Sequence, residues 1–175
     1  LPPTNDKVVG LKVFQSAVIV GRERDIYVIY GDTNRTDVGN MFRLVKINTH
    51  TGFASNDGAV IAHNYLFFTG SDGNFYALHS PKTDVELLST QMLNQNLDIF
   101  KSPISVNPDD LKAISSKFHD DEWWVAVGDK VLVYSYIRRA WSYYKFSQRN
   151  VKSIYVKDLK ILLGLNMLLS LVLTF

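Results

Sequence analysis

The sequence has no cysteine, which excludes disulfide staples and thiolate metal sites. It also lacks a membrane-length apolar helix. The uncharged run Ile161–Phe175 has 15 residues, short of the roughly 18 that a spanning helix needs. That run reads as two buried strands around Leu165-Asn166-Met167, as a peripheral membrane element, or as the edge of an incomplete fold. The chain opens Leu-Pro-Pro-Thr-Asn, without an initiator Met and without the basic-then-apolar pattern of a signal peptide. The expectation is a processed chain or a portion of a longer protein.

Catalytic signatures are missing as well. There is no HExxH, no GxSxG, no phosphate-cradling glycine loop and no dinucleotide fingerprint. His50, His63, His79 and His119 stand singly, without metal-ligand spacing, although His63 and His79 flank one hairpin. The run Asp120-Asp121-Glu122 reads as a solvated turn that blocks edge pairing. "GSDGN" (70–74) lacks the later carboxylates of a calcium loop. The residues therefore predict no enzyme, no metal and no cofactor.

What is present is strand after strand. The composition, 46% hydrophobic and 21% charged, is globular. Apolar runs at 11–21, 25–31, 41–48, 59–70, 74–80, 122–128, 130–136, 140–146, 151–158 and 159–165 read as strands. Arg22-Glu23-Arg24 reads as a charged turn, 33–40 as a polar loop and 49–58 as a turn-rich connection. Helical spacing of Leu88, Met92, Leu93, Leu97 and Phe100 predicts a helix over 85–100. Asn107, Pro108, Asp109 and Asp110 form a start signal for a second, short helix, or a turn into a strand.

Four segments share one plan: a strand reaching Gly, a turn, and a second strand. They are "AVIVGRERDIYVIY", "LFFTGSDGNFYAL", "WWVAVGDKVLVYSY" and "KILLGLNMLLSLV". Their glycines, Gly21, Gly70, Gly128 and Gly164, lie 49, 58 and 36 residues apart. A hairpin recurring at such intervals predicts a mainly β fold of β-propeller-like blades, partial or incomplete, with one or two short helices. A sandwich of hairpins is the other arrangement this pattern allows. Asp72-Gly73 supplies the positive φ of a tight turn. The predicted organisation is a propeller-like domain over 1–160 and an apolar C-terminal segment over 161–175.

Charge and aromatics are unevenly spread. Residues 1–128 hold 11 Lys/Arg against 15 Asp/Glu, whereas 129–160 hold 8 against 2. The basic block reads either as a face for a polyanion such as DNA or as a solvated sheet face. Trp123, Trp124, Trp141 and the nearby tyrosines read either as a stacking surface or as sheet packing. Strand alternation puts Trp123 and Trp124 on opposite faces.

Taken in order, these segments resemble a family: the tail-tube, nozzle and head–tail channel proteins of short-tailed bacteriophages. The residues that carry the resemblance are the corner Thr51-Gly52-Phe53, then Asn64, Leu66, Phe68, Gly70, Asp72 and Gly73, then Leu88-Ser89 through Met92, and the block 121–146. The similarity covers roughly residues 11–160. After Gly164 the family's polar turn and aromatic strand are missing.

The resemblance implies a non-catalytic tail component in the virion, assembled in the host cytoplasm. It implies a homo-oligomeric ring that joins portal and adaptor to fibres and guides DNA. Lys130, Arg138, Arg139, Lys145, Arg149 and Lys152 would then approach the DNA channel, and the C-terminal segment would be either a buried β-element or a membrane-touching tip. Gly21, Gly52, Gly70, Asp72, Gly73 and Gly128 would serve turns and fold. "DGNFYALHSPKT" is also similar to the quinoprotein-type propeller repeat, but His79 stands where that repeat has Asp, and its Thr-Gly is missing. A receptor- or carbohydrate-binding propeller is the alternative from a different class.

Overall fold

Short apolar runs separated by turn formers return beside one another as antiparallel strands. The computed structural model describes residues 5–31, 42–47, 49–82, 85–89, 108–146, 151–157, 160–165 and 170–173. Within them the chain forms successive meander sheets, each paired between sequence neighbours. The first sheet runs β1 (Val8–Phe14), β2 (Ala17–Arg22), β3 (Ile26–Gly31), β4 (Phe42–Lys46). The second runs β5 (Ala59–Ala62), β6 (Tyr65–Thr69), β7 (Phe75–Leu78), β8 (Glu86–Leu87). A short helix, α1 (Pro108–Lys112), precedes the third: β9 (Ser115–His119), β10 (Glu122–Val127), β11 (Lys130–Ser135), β12 (Ala140–Lys145). The fourth holds β13 (Val151–Lys157), β14 (Lys160–Leu165) and β15 (Ser170–Leu173).

The four repeats of the sequence are the β2–β3, β6–β7, β10–β11 and β14–β15 hairpins, one in each sheet. Of the helix expected over 85–100, Glu86–Leu87 instead forms strand β8 against β7; the rest lies largely outside the described residues, as does the polar loop 33–40. The start signal at 107–110 does open a helix, and its two acids occupy the first turn. Ile161 lies inside β14, which pairs with both β13 and β15. Burial beyond Tyr155 lies outside what is described. Among the described residues no helix is long and apolar enough to cross a membrane.

Two expected strands are in fact hairpins. The run 11–21 breaks at Gln15-Ser16, and 59–70 breaks at His63-Asn64. A third turn of the same kind, Asp120-Asp121, joins β9 to β10. In all three both residues have positive φ: 48° and 63°, 46° and 64°, 48° and 60°. That is the two-residue turn whose twist matches the flanking strands. Its usual signal is Asn-Gly or Asp-Gly, so Gln-Ser and His-Asn conceal it.

Packing divides the chain into two units, Leu1–Leu87 and Leu88–Phe175. In the first, one face of the first sheet (Phe14, Ala17, Ile19, Ile26, Val28) meets Ala59, Leu66, Phe68 and Leu78 of the second, with Ile47 and Phe53 between them. In the second, Trp124, Ala126, Val131 and Val133 of the third sheet meet Val151 and Ile154 of the fourth. Ser16 is exposed and left-handed without being glycine. Each such residue costs about 1–2 kcal/mol, so Ser16→Gly is expected to stabilise the fold by about 1 kcal/mol, seen as a raised urea midpoint with unchanged slope.

Candidate functional site

Six of the residues in the resemblance, Thr51, Gly52, Phe53, Gly70, Asp72 and Gly73, meet at one end of the first two sheets; Asn64 lies at the other end and 121–146 in the second unit. The connection Thr51–Ala54 passes between the β2–β3 and β6–β7 turns and hydrogen-bonds to both. Phe53 N donates to Arg22 O at 2.9 Å, Ala54 N to Thr69 O at 2.9 Å, and Ser71 N to Gly52 O at 3.1 Å. Phe53 also makes an isolated bridge with Gly70. The backbone fits only because two glycines make room. A Cβ on Gly52 would run into Arg22 O, and one on Gly21 would run into the Phe53 ring. Phe53 is 1% exposed and packs against Phe68 at 5.0 Å.

Asp72 is the polar centre of this corner. It accepts from Thr51 Oγ1 at 3.2 Å, Asn74 N at 3.1 Å, Asn74 Nδ2 at 2.9 Å and the Tyr76 hydroxyl at 2.6 Å. Gly73 follows at φ 82°. A Cβ on Gly70 would crowd Asp72 and Thr51. Burial first, and then the hydrogen bond to Asp72, hold the Tyr76 hydroxyl well above the usual phenol range. Of the glycines singled out by sequence, Gly21, Gly52 and Gly70 serve close approach; Gly73 and Gly128 (φ 57°) serve turn geometry.

At the opposite end of the same two sheets sits a second clamp. Gln15 Nε2 donates to Asn64 Oδ1 and to His79 O, both at 2.8 Å. The Tyr30 hydroxyl donates to Pro81 O at 3.0 Å. This accounts for a glutamine in a left-handed turn: its side chain ties the first sheet to the second.

Arg22, expected in a charged turn, is the buried end of β2 at 2% exposure. Its Nε donates to Asp6 O at 3.1 Å and lies 3.5 Å from Asp6 Oδ2, and its guanidinium sits 5.8 Å from the Tyr27 ring. The signal that could have found it is its place directly after an apolar strand and Gly21. Beside it opens a cleft of about 300 Å³ lined by Asn5, Asp6, Glu23, Arg24 and Asp25. Of its carboxylates, Asp6 is engaged by Arg22 and Asp25 by Lys46.

The tryptophans are not a stacking surface. Trp123, Trp124 and Trp141 are 0%, 1% and 5% exposed. Register places Trp123, Tyr134 and Trp141 in one row across β10–β12. Trp141 lies 5.9 Å from Trp123 and 5.0 Å from Tyr134, and its Nε1 donates to Leu88 O at 3.3 Å. Trp124, on the other face, stacks on Tyr144 at 5.9 Å. Filling a sheet's two faces with large aromatics buries them, because neighbouring strands stand only about 4.8 Å apart. Among the described residues of the second unit, the exposed aromatics are Tyr143, Tyr144 and Tyr155.

The basic residues do not form one stripe. Lys130 and Lys145 are cross-strand partners at one end of β11–β12. Arg138 and Arg139, exposed in the β11–β12 turn, lie at the other end. Five strand steps separate the ends, about 17 Å. Asp129 approaches Lys130 at 3.7 Å. Arg149 and the side chain of Lys152 lie outside the described residues. The histidines are scattered: His63 in a turn, His79 tilted against Tyr65 with ring centres 4.8 Å apart, His119 beside Asp120 at 3.3 Å. Among the described residues no group of three potential ligands is placed to hold a metal ion.

Gly52→Ala is expected to destabilise the first unit by about 3 kcal/mol, since backbone rather than a flexible side chain must yield; urea unfolding checks it. Tyr76 gives a pH dependence. Its folded pKa is raised, so its contribution is complete below the unfolded value of about 10 and falls as pH rises beyond it. Tyr76→Phe is therefore expected to flatten the alkaline loss of stability above about pH 10, measured as urea midpoints against pH.

No protein-family model matches the sequence, and no curated protein matches it. Solved structures do. The computationally designed Ika4 protein is 12% identical, with TM-score 0.60 over 99% of this chain and 94% of that one. The WD40 domain of Pan2 from Neurospora crassa is 12% identical, with TM-score 0.55 over 96% of this chain and 46% of that one. PorZ of Porphyromonas gingivalis, described as a surface component of the type-IX secretion system, is 14% identical, with TM-score 0.54 over 99% of this chain and 21% of that one. The chain thus spans under half of the Pan2 domain and about a fifth of PorZ. At these identities the likeness concerns the fold alone, and the fold is mainly β and β-propeller-like.

Proposed function

We propose that this chain is a non-catalytic scaffold of a short-tailed bacteriophage tail. Its propeller-like sheets would form part of the nozzle or hub between the head–tail connector and the tail tip. The observation that carries this reading is the corner at Thr51–Phe53 and Gly70–Gly73. These six residues of the resemblance are engaged in tying the first sheet to the second through backbone hydrogen bonds, close-packed glycines and the Asp72 cluster. Asp72, the one carboxylate in that motif, has its oxygens taken up by Thr51, Asn74 and Tyr76. Such a corner resists shear between sheets, as a part that transmits force along a tail requires.

In that setting the partners are further copies of the chain in a ring, the portal and adaptor above, and fibres below. The location is the virion, after assembly in the host cytoplasm. DNA contact is weak and independent of sequence, as suits cations divided between two ends of a sheet. The receptor- or carbohydrate-binding alternative rests on exposed Trp and Tyr; the burial of Trp123, Trp124 and Trp141 removes the tryptophans from it, while Tyr143, Tyr144 and Tyr155 stay exposed.

Negative-stain electron microscopy and mass photometry of the purified chain, alone and with the portal–adaptor complex of its own phage, test the reading. Rings, or particles docked on the portal, are expected. A monodisperse monomer that neither closes into rings nor docks would overturn it.

A further inference from the structure

We propose that the outer edge of β12 takes up an extended acidic peptide as an additional strand of the third sheet. β12 is the end strand of that sheet, and among the described residues no strand pairs with its outer side. Ser142, Tyr143, Tyr144 and Lys145 are all exposed. The ladder with β11 fixes which backbone groups are open. Phe146 N donates to Asp129 O at 2.8 Å, and hydrogen-bonded pairs alternate along an antiparallel ladder. With Lys130 opposite Lys145, the amides of Tyr143 and Lys145 point away from β11. They form the free half-ladder that strand addition uses.

Charge selects the occupant. The edge carries exposed Arg138 and Arg139 immediately before it and Lys145, beside Lys130, at its end. Near them lie Asp129, at 3.7 Å from Lys130, and the half-buried Glu122. A second copy of this chain pairing edge to edge would set these cations against one another, which is unfavourable for like charges across strands. An extended segment with carboxylates at both ends and small β-formers between them meets both clusters while completing the ladder. Single-stranded nucleic acid is the poorer fit, because Tyr143 and Tyr144 point to opposite faces and offer no common platform for bases. The inference does not rest on the tail reading, since it uses only the edge and its charges.

The test is fluorescence anisotropy of the full chain with fluorescein-labelled Glu-Glu-Thr-Val-Thr-Val-Glu-Glu. Saturable binding is expected. It should weaken about tenfold or more when alternate central residues of the peptide are N-methylated, about 1.4 kcal/mol. A comparable loss is expected for the chain carrying Arg138→Ser and Arg139→Ser. Tyr143→Pro, which removes an outward amide and spares the β11 ladder, should abolish binding while circular dichroism stays unchanged. If that variant unfolds, the arginine pair and the N-methylated peptide decide the matter. Absence of saturable binding, equal binding of the N-methylated or an all-Lys-for-Glu peptide, or displacement by oligothymidylate of equal charge at equal concentration would each overturn the proposal.

Discussion

The ring of Phe53 occupies the space where a side chain on Gly21 would stand, and the first unit is organised around that contact. Two twisted sheets packed face to face need a device that sets their separation and keeps them from sliding. Apolar contact alone is non-directional and leaves sliding cheap. The segment Thr51–Ala54 supplies direction. Its backbone bonds to Arg22 of the first sheet and to Thr69 and Ser71 of the second, while Phe53 drives its ring between them. Gly52 is the complement on the other side of the chain, lying against Arg22 O where no other residue fits. At the far end Gln15 and Tyr30 hold the same two sheets by hydrogen bonds to Asn64, His79 and Pro81. Pinned at both ends, the pair is constrained against shear in a way that either clamp alone would not achieve.

The second unit meets the same demand differently. In place of a corner it has rows of aromatics running across strands: Trp123, Tyr134 and Trp141 on one face, Trp124 and Tyr144 on the other. Large rings in register resist slippage because a one-residue shift would turn each of them to the opposite face. Trp141 adds a directional bond through its indole nitrogen to Leu88 O. Ser115 Oγ accepts from Ile154 N at 3.3 Å and so joins β9 to β13. Rigidity here comes from register, where in the first unit it comes from an inserted segment.

Much of this was legible in the sequence. Period-two alternation and the Gly-bearing hairpins identified the middle strands of the sheets, and Asp72-Gly73 identified its turn. The outer hairpins were hidden because Gln15-Ser16 and His63-Asn64 lack glycine. Nothing local to Gln15 predicts that its side chain will bond to residues 49 and 64 positions away. Arg22 was hidden for a related reason. An arginine beside Glu and Arg reads as solvated, and only the arrival of Asp6 and the Tyr27 ring explains its burial. The tryptophans were correctly divided between faces by alternation, but whether those faces were open depended on Tyr144, Val151 and Ile154. The basic excess of residues 129–160 was plain in the sequence; its division into two clusters followed from the β11–β12 hairpin, which folds one basic stretch back on itself.

The end strands β4 and β12 show how charge can distinguish one edge from another. Both carry exposed apolar or aromatic side chains, Phe42 and Leu44 on β4, Tyr143 and Tyr144 on β12. On β4 the exposed Arg43 stands within the strand, while Lys46 reaches Asp25, and the hydrogen bond with that carboxylate is the largest influence raising its pKa. On β12, Lys145 faces Lys130 directly, an unfavourable placement for like charges. A charged edge is usually explained as protection against strand addition. That explanation fits a lysine in the middle of a strand, where it must be desolvated by any incoming chain. It fits less well here, because the cations flank the strand and leave Ser142, Tyr143 and Tyr144 unguarded between them. Cations so placed exclude another copy of this edge while favouring a strand with acids at its ends, so the same residues provide discrimination and attraction together.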